Sequence, residues 1–307
     1  RWVERMPLAQ SAIGSVVRIG QTLGEYALLV RLHRPIGIWL LLWPTLWALW
    51  IAAAGRPPER LFLIFIAGTV LMRSAGCAIN DFADRDFDPY VKRTRDRPLA
   101  ARRISPYEAI GVFVALALAA LSLALQLNRL SQILALIGCA IAVTYPFVKR
   151  FFALPQFYLG AAFAWGVPMA FAAALGTVPK IGWVLFFSSI LWVGVYDTLY
   201  AMVDREDDLK IGINSSAILF GDADRVIIAA MQLMVLFGLY LAGREARLGL
   251  WYELGLGAGA LFFFYQQILI RGREPERCLQ AFLNNNYFGM AVFIGLALDY
   301  QFRSSGV

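Results

Sequence analysis

From about residue 36 onward the chain alternates long apolar runs with short polar breaks. Nine runs are long enough to cross a hydrocarbon core of about 30 Å as helices rising about 1.5 Å per residue. They cover residues 36–54, 61–79, 107–126, 130–147, 153–174, 181–201, 225–242, 249–270 and 284–302. The pattern predicts an all-α polytopic membrane protein of nine transmembrane helices, with no soluble domain of any size left over. Residues 36–303 then form one membrane domain, preceded by an N-terminal interfacial segment, 1–35. Within that segment the stretch from Ile13 to Leu32 has the spacing of an amphipathic helix lying along the membrane surface. It lacks the compact apolar core of a cleavable signal peptide.

Two polar segments interrupt this pattern. NDFADRDFD runs from Asn80 to Asp88 and DTLYAMVDREDD from Asp197 to Asp208; together they hold nine of the chain's 21 acidic residues. Each follows an apolar run, the second and the sixth, so the clusters occupy matching places four spans apart. That spacing predicts two four-helix units plus a ninth helix, with a site where the two units face each other. Asn80, Asp84 and Asp88 repeat at i, i+4, i+8, as do Tyr200, Asp204 and Asp208, so each set lines one stripe if its helix continues. Asp81 falls beside the first stripe, and Asp197 lies seven residues before Asp204. Pro89 and Gly212 are the expected helix ends. Like charges one turn apart repel, so such stripes call for a cation.

Composition agrees with the membrane reading: 60% hydrophobic and 16% charged residues exclude an ordinary soluble domain. The net charge of +7 is not a nucleic-acid footprint. Most of the 28 Lys and Arg fall in the N-terminal segment and every second loop, which predicts a cytoplasmic N-terminus and an external C-terminus. Both acidic clusters lie on the cytoplasmic side. Cys77, Cys139 and Cys278 are scattered, which speaks against a disulfide or zinc site, and His33, the only histidine, leaves no nucleophilic triad.

Cations crowd the same places. The segment after the first cluster carries Arg93 and Arg97 among others, Lys149 and Arg150 end the fourth span, and Lys210 follows the second cluster. Carboxylates flanked by this many cations make sense if an anion sits between a metal and the basic side chains. A diphosphate is the obvious one: Mg²⁺ binds through one or two carboxylates plus phosphate oxygens, and Arg bonds the same group bidentately. Tyr145, one turn before Lys149, is placed to orient it. Arg73, seven residues before Asn80, lies on the same face and deeper; a buried Arg needs an anion, either a substrate carboxylate or an Asp of the cluster.

These segments resemble the UbiA superfamily of intramembrane prenyltransferases. NDFADRDFD is similar to its NDxxDxxxD signature and YDTLYAMVDREDDLKIG to its DxxxD-centred one. The likeness is strongest to the family's 4-hydroxybenzoate polyprenyltransferases, through RPIGIWLLLWPTLWALW from Arg34, LPQFYLGAAFAWGVPMAFAA from Leu154 and NNNYFG from Asn284. The resemblance implies a nine-helix bundle around a central cavity. It also implies Mg²⁺-dependent transfer of a polyprenyl group from its diphosphate to the ring carbon meta to the carboxylate of 4-hydroxybenzoate, a step of ubiquinone biosynthesis. On it, Asn80, Asp84 and Asp88 would serve one Mg²⁺, and Asp204 and Asp208 a second. Arg93, Arg97, Lys149 and Arg150 would face the diphosphate, and Arg73 would hold the aromatic acid. Asp81, Asp197, Tyr200, Tyr145 and Lys210 would support them. The implied location is a bacterial inner membrane, less readily a mitochondrial one, with the lipid bilayer as the third partner after the two substrates.

Phe157, Tyr158, Trp165, Trp192 and Tyr196 are candidates for stabilising an allylic cation, against the plainer role of packing. Asn284, Asn285 and Asn286 read as a helix cap. The rival functions are transfer to another aromatic acceptor and ion-coupled transport; the latter is disfavoured because the acids cluster at helix ends and not at the midplane.

Overall fold

The computed structural model describes residues 20–91, 93–149, 151, 154–211 and 215–303, with the backbone alone described at 206, 207, 210 and 211. Every regular element among these residues is helical. A helix α1 over 20–29 is followed by α2 (Ile36–Ala52), α3 (Glu59–Asp84), α4 (Pro106–Ala124), α5 (Arg129–Val148), α6 (Pro155–Ala164) and α7 (Gly166–Leu175). Then come α8 (Lys180–Ile211), α9 (Ser216–Phe220), α10 (Asp224–Glu245), α11 (Leu250–Leu269) and α12 (Pro275–Arg303). Among the described residues eight helical stretches are long and apolar enough to cross a membrane, and the apolar α2 adds a shorter one of 17 residues. Each expected run thus has a helical counterpart. Of the expected surface helix, residues 20–29 are helical, and residues 1–19 lie outside the described residues.

Two details depart from the hydropathy reading. The fifth run, 153–174, is two helices that meet at Trp165. Pro168 has no N–H to give the carbonyl of Ala164, and its ring crowds that position, so the ladder breaks there. Trp165 then turns its indole N–H onto the Leu134 carbonyl at 2.7 Å. Helix α12 begins at Pro275, well before the run that starts at residue 284, so Asn284, Asn285 and Asn286 lie mid-helix and do not cap it.

The chain divides into two compact units: Arg1–Pro35 with Met72–Ala117, and Ile36–Leu71 with Leu118–Val307. The first gathers Leu29, Ala78, Leu99, Ile104 and Ala109 into a small core, flanked by Tyr26, Phe82, Val112 and Phe113. Its α4 starts with Ser105 and Glu108 capping each other: the Glu108 N–H bonds Ser105 Oγ at 3.2 Å, and the Ser105 N–H bonds Glu108 Oε2 at 2.7 Å. This capping box satisfies two otherwise orphaned donors. Glu108 also receives the Tyr26 hydroxyl at 3.0 Å, and Arg103 reaches Glu25 at 2.8 Å, so α1 is tied to the α4 start.

The second unit packs around Trp47, Phe171, Trp192 and Phe288. Amides cross its apolar interior in a relay. Gln267 donates to Gln232 at 2.9 Å, Gln232 to Gln266 at 2.9 Å and Gln266 to Asn284 at 3.1 Å. Asn285 and Asn286 accept the indole N–H groups of Trp192 and Trp43 at 2.8 and 2.9 Å. Such interhelical bonds satisfy polar groups that lipid cannot. Helices α11 and α12 meet at Gly255 and Gly295; a Cβ on Gly255 would lie 2.8 Å from both the Ala291 carbonyl and the Gly295 Cα.

Candidate functional site

Helix α3 carries the first cluster. Arg73, Asn80 and Asp84 fall at i, i+7 and i+11, one face of the helix. Asn80 donates from Nδ2 to Asp84 Oδ2 at 3.1 Å. The expected third member is displaced: α3 ends at Asp84, and Asp88 opens a 3-10 turn, Asp88–Tyr90, with Pro89 next in line. Proline disfavours the α conformation of the residue before it, so the stripe cannot run on as helix to Asp88. The loop refolds instead to bring Asp88 back, buried, beneath Thr94, whose hydroxyl holds the Asp88 carbonyl at 2.9 Å.

Asp88 meets Arg97, whose Nη1 lies 2.8 Å from Asp88 Oδ2 and 3.0 Å from Asp81 Oδ1. Burial pushes the Asp88 carboxyl above its ordinary range; Arg97 pulls it back, while the charges of Asp81 and Asp84 add to the rise. Arg97, expected on the diphosphate side, therefore sits between two carboxylates. Asp81 also takes Arg31 Nη2 at 2.5 Å. Arg93 is exposed on the same loop.

Among the described residues Arg73 has no carboxylate as its hydrogen-bond partner. Its Nη1 contacts the Cys77 thiol, one turn on, and its buried Nε has no hydrogen-bond partner.

In the second unit α8 runs unbroken through the second cluster to Ile211. Asp197, Tyr200, Asp204 and Asp208 fall at i, i+3, i+7 and i+11, on one face. The Tyr200 ring packs on Phe282 at 4.8 Å, and Asp204 and Asp208 are half-buried. Lys149 caps α5 through its N–H to the Tyr145 carbonyl, and its Nζ lies 6.0 Å from the Tyr145 ring centroid. Tyr145 stacks on Tyr158, whose hydroxyl meets Thr144 Oγ1 at 2.7 Å. Arg150 and the Lys210 side chain lie outside the described residues.

Of the candidate aromatics, Trp192 is fully buried against Trp47 and Phe288 with its N–H on Asn285, and Trp165 is bonded to Leu134; both are packing residues. The sequence reading overlooked Arg31, Thr94 and, beside the second cluster, Asp224. Asp224 is completely buried and holds Arg273 at 2.8 Å and Arg205 at 3.5 Å. The pairings of Arg31 and Arg273 join segments far apart in the chain, and no local motif signals them.

The donors at both helix ends are oxygens, the set a hard cation prefers. Among the described residues no group of three or more Asp, Glu, His or Cys closes on a common point. Mg²⁺ takes one or two carboxylates and completes its shell from phosphate and water.

The described residues thus form an all-helical, multi-pass membrane protein with acidic and basic side chains at its apolar helices. Residues 41–293 match the UbiA prenyltransferase family, and the chain belongs to that family. It is 57% identical over 280 residues to a protein of Nitrosococcus oceani named 4-hydroxybenzoate octaprenyltransferase, spanning 91% of this chain and 98% of the relative. A Coxiella burnetii protein of the same name is 51% identical over 93% of this chain and the whole of the relative. Among solved structures, a UbiA homolog from Aeropyrum pernix superposes with a TM-score of 0.73 at 25% identity, covering 84% of this chain and 97% of that one. A UbiA homolog from Archaeoglobus fulgidus, bound to GPP and Mg²⁺, gives 0.66 at 16% identity over 88% of this chain and 99% of that one, a likeness of fold.

Proposed function

We propose that this protein transfers a polyprenyl group from polyprenyl diphosphate to 4-hydroxybenzoate, at the ring carbon meta to the carboxylate, as a step of ubiquinone biosynthesis. The observation that carries the reading is the order of groups on one face of α3. An arginine with an orphaned buried Nε lies two turns behind an amide and a carboxylate of the diphosphate motif. An aromatic acid and a metal-bound diphosphate would need these groups. The names of the relatives support the substrate pair, and their octaprenyl label supports a long donor.

Asn80, Asp84 and Asp88 would hold one Mg²⁺, and Asp204 and Asp208 a second. Bound there, the ions would supply Lewis-acid neutralisation of the charge developing on the leaving diphosphate. Arg93, Arg97, Lys149 and Arg150 would face the same charge, preorganised donors being worth most where water is excluded. Asp197, with Tyr145 and Tyr200, would keep Lys149 and the acids in place; Lys210 and Asp81 would flank them. Arg73 would seat the acceptor carboxylate. The allylic C–O bond breaks with its electron pair leaving on the diphosphate. A ring carbon activated by the phenol then bonds to the allylic carbon, and that ring carbon gives its proton to the released diphosphate, restoring aromaticity. The apolar surroundings shield the cation from water.

Residues 36–303 would act as one membrane domain in a bacterial inner membrane, with residues 1–35 and both acidic clusters at the cytoplasmic face. The test is direct: purified protein is incubated with 4-hydroxybenzoate and prenyl diphosphates of several lengths, with and without Mg²⁺. Prenylated 4-hydroxybenzoate formed only with Mg²⁺ is expected. Absence of product with Mg²⁺, or product only from another aromatic acceptor, would overturn the reading.

A further inference from the structure

We infer that Asp81 is not a metal ligand but the buried anchor of a positioning pair with Arg31, which fixes Arg97 against Asp88. This deepens, and rests on, the function proposed above. The Asp81 side chain is 1% exposed, and its Oδ1 receives both Arg31 at 2.5 Å and Arg97 at 3.0 Å. Arg97 uses the same nitrogen to hold Asp88, whose side chain is 9% exposed, at 2.8 Å. The four groups form a chain, Arg31–Asp81–Arg97–Asp88, of two negative and two positive charges. Buried carboxylates persist when paired and bonded in this way. The Asp81 charge is already matched, so a cation added at Asp81 would meet two guanidinium groups.

The backbone at Arg31 supports the pairing. Helix α1 ends with the Leu32 N–H on the Ala27 carbonyl and Arg31 at φ 58°. That left-handed position is usually glycine's, and a residue with a Cβ is strained there. Such strain persists where surrounding contacts over-determine it, and here the contact is a buried ion pair to the diphosphate motif. The second cluster repeats the device within its own unit. Asp224, fully buried, holds Arg205, the neighbour of Asp204, and Arg273, which is left-handed at φ 56°. Each acidic motif is thus steadied by a buried aspartate that gathers two arginines, one of them strained.

Losing this pair should loosen Asp88 without removing any ligand. The variants Arg31→Met, Arg31→Lys and Asp81→Asn are compared with wild type by three readouts. The first is the Mg²⁺ concentration giving half-maximal turnover. The second is calorimetric binding of Mg²⁺ with geranyl diphosphate, which needs no turnover. The third is maleimide labelling of Cys77, located by peptide mass spectrometry, since its Sγ lies 3.8 Å from Arg31 Nη1. In Arg31→Met and Asp81→Asn both Mg²⁺ measures should weaken by roughly 10-fold or more, the range for losing an outer-shell partner of a metal ligand. The KM for 4-hydroxybenzoate should hold and Cys77 should label faster, with Arg31→Lys recovering part of each loss. If Arg31→Met binds Mg²⁺ like wild type, or if Asp81→Asn alone abolishes binding, the positioning role is wrong. If wild type binds Mg²⁺ with the diphosphate but prenylates no acceptor, the proposed reaction fails, and the binding and labelling comparisons still decide the pair.

Discussion

The indole N–H of Trp192 bonds the Asn285 side chain at 2.8 Å, joining α8 to α12 across 93 positions of chain. Both residues are fully buried, and Asn285 also donates to the Ala281 carbonyl at 3.0 Å. Replacing Asn285 by Ala leaves the indole donor unmatched in an apolar core, at a cost of about 1–3 kcal/mol. A lower melting temperature of the detergent-solubilised protein is expected for Asn285→Ala, read by tryptophan fluorescence. A smaller drop is expected for Asn286→Ala, whose bond to Trp43 is only partly buried.

Close approach makes a second stability prediction. Gly255 faces the Ala291 carbonyl and Gly295 with no space for a Cβ. Gly255→Val should push α11 from α12 and reduce the fraction of protein that elutes as a monodisperse peak on size exclusion. Gly257, with nothing within 4 Å of its Cβ position, is the control: Gly257→Ala should elute as wild type does.

For the chemistry, Asp84→Asn and Asp204→Asn should each lower kcat by at least about 100-fold, the scale of removing one preorganised electrostatic group. Both are half-buried and should leave the melting temperature close to wild type, because substitutions away from core features are small in stability. Turnover near wild type in either variant would show that the stripe holds no essential cation.

Arg73→Ala should raise the KM for 4-hydroxybenzoate by roughly 10-fold or more, as expected when a charged hydrogen bond to a carboxylate is lost. The KM for the prenyl diphosphate should stay near wild type. Should Arg73→Ala instead leave both KM values unchanged while lowering the melting temperature, the residue serves packing against Cys77 and not the acceptor.

Hydropathy alone determined that this chain is built from apolar helices, because a bilayer admits only segments that satisfy their own backbone bonds. The 3.6-residue period alone placed Arg73, Asn80 and Asp84 on one face and Asp197, Tyr200, Asp204 and Asp208 on another. Both are local properties, set within one helix. Pro89 announced a helix end, but not that α3 would stop four residues sooner and fold Asp88 back onto Arg97. Nor did three consecutive asparagines reveal that they sit mid-helix as partners of tryptophans and a glutamine. The pairing of Arg31 with Asp81, and of Arg273 with Asp224, was invisible for the same reason. These contacts join residues about 50 positions apart, and a buried ion pair depends on what else excludes water around it. Only tertiary packing decides that.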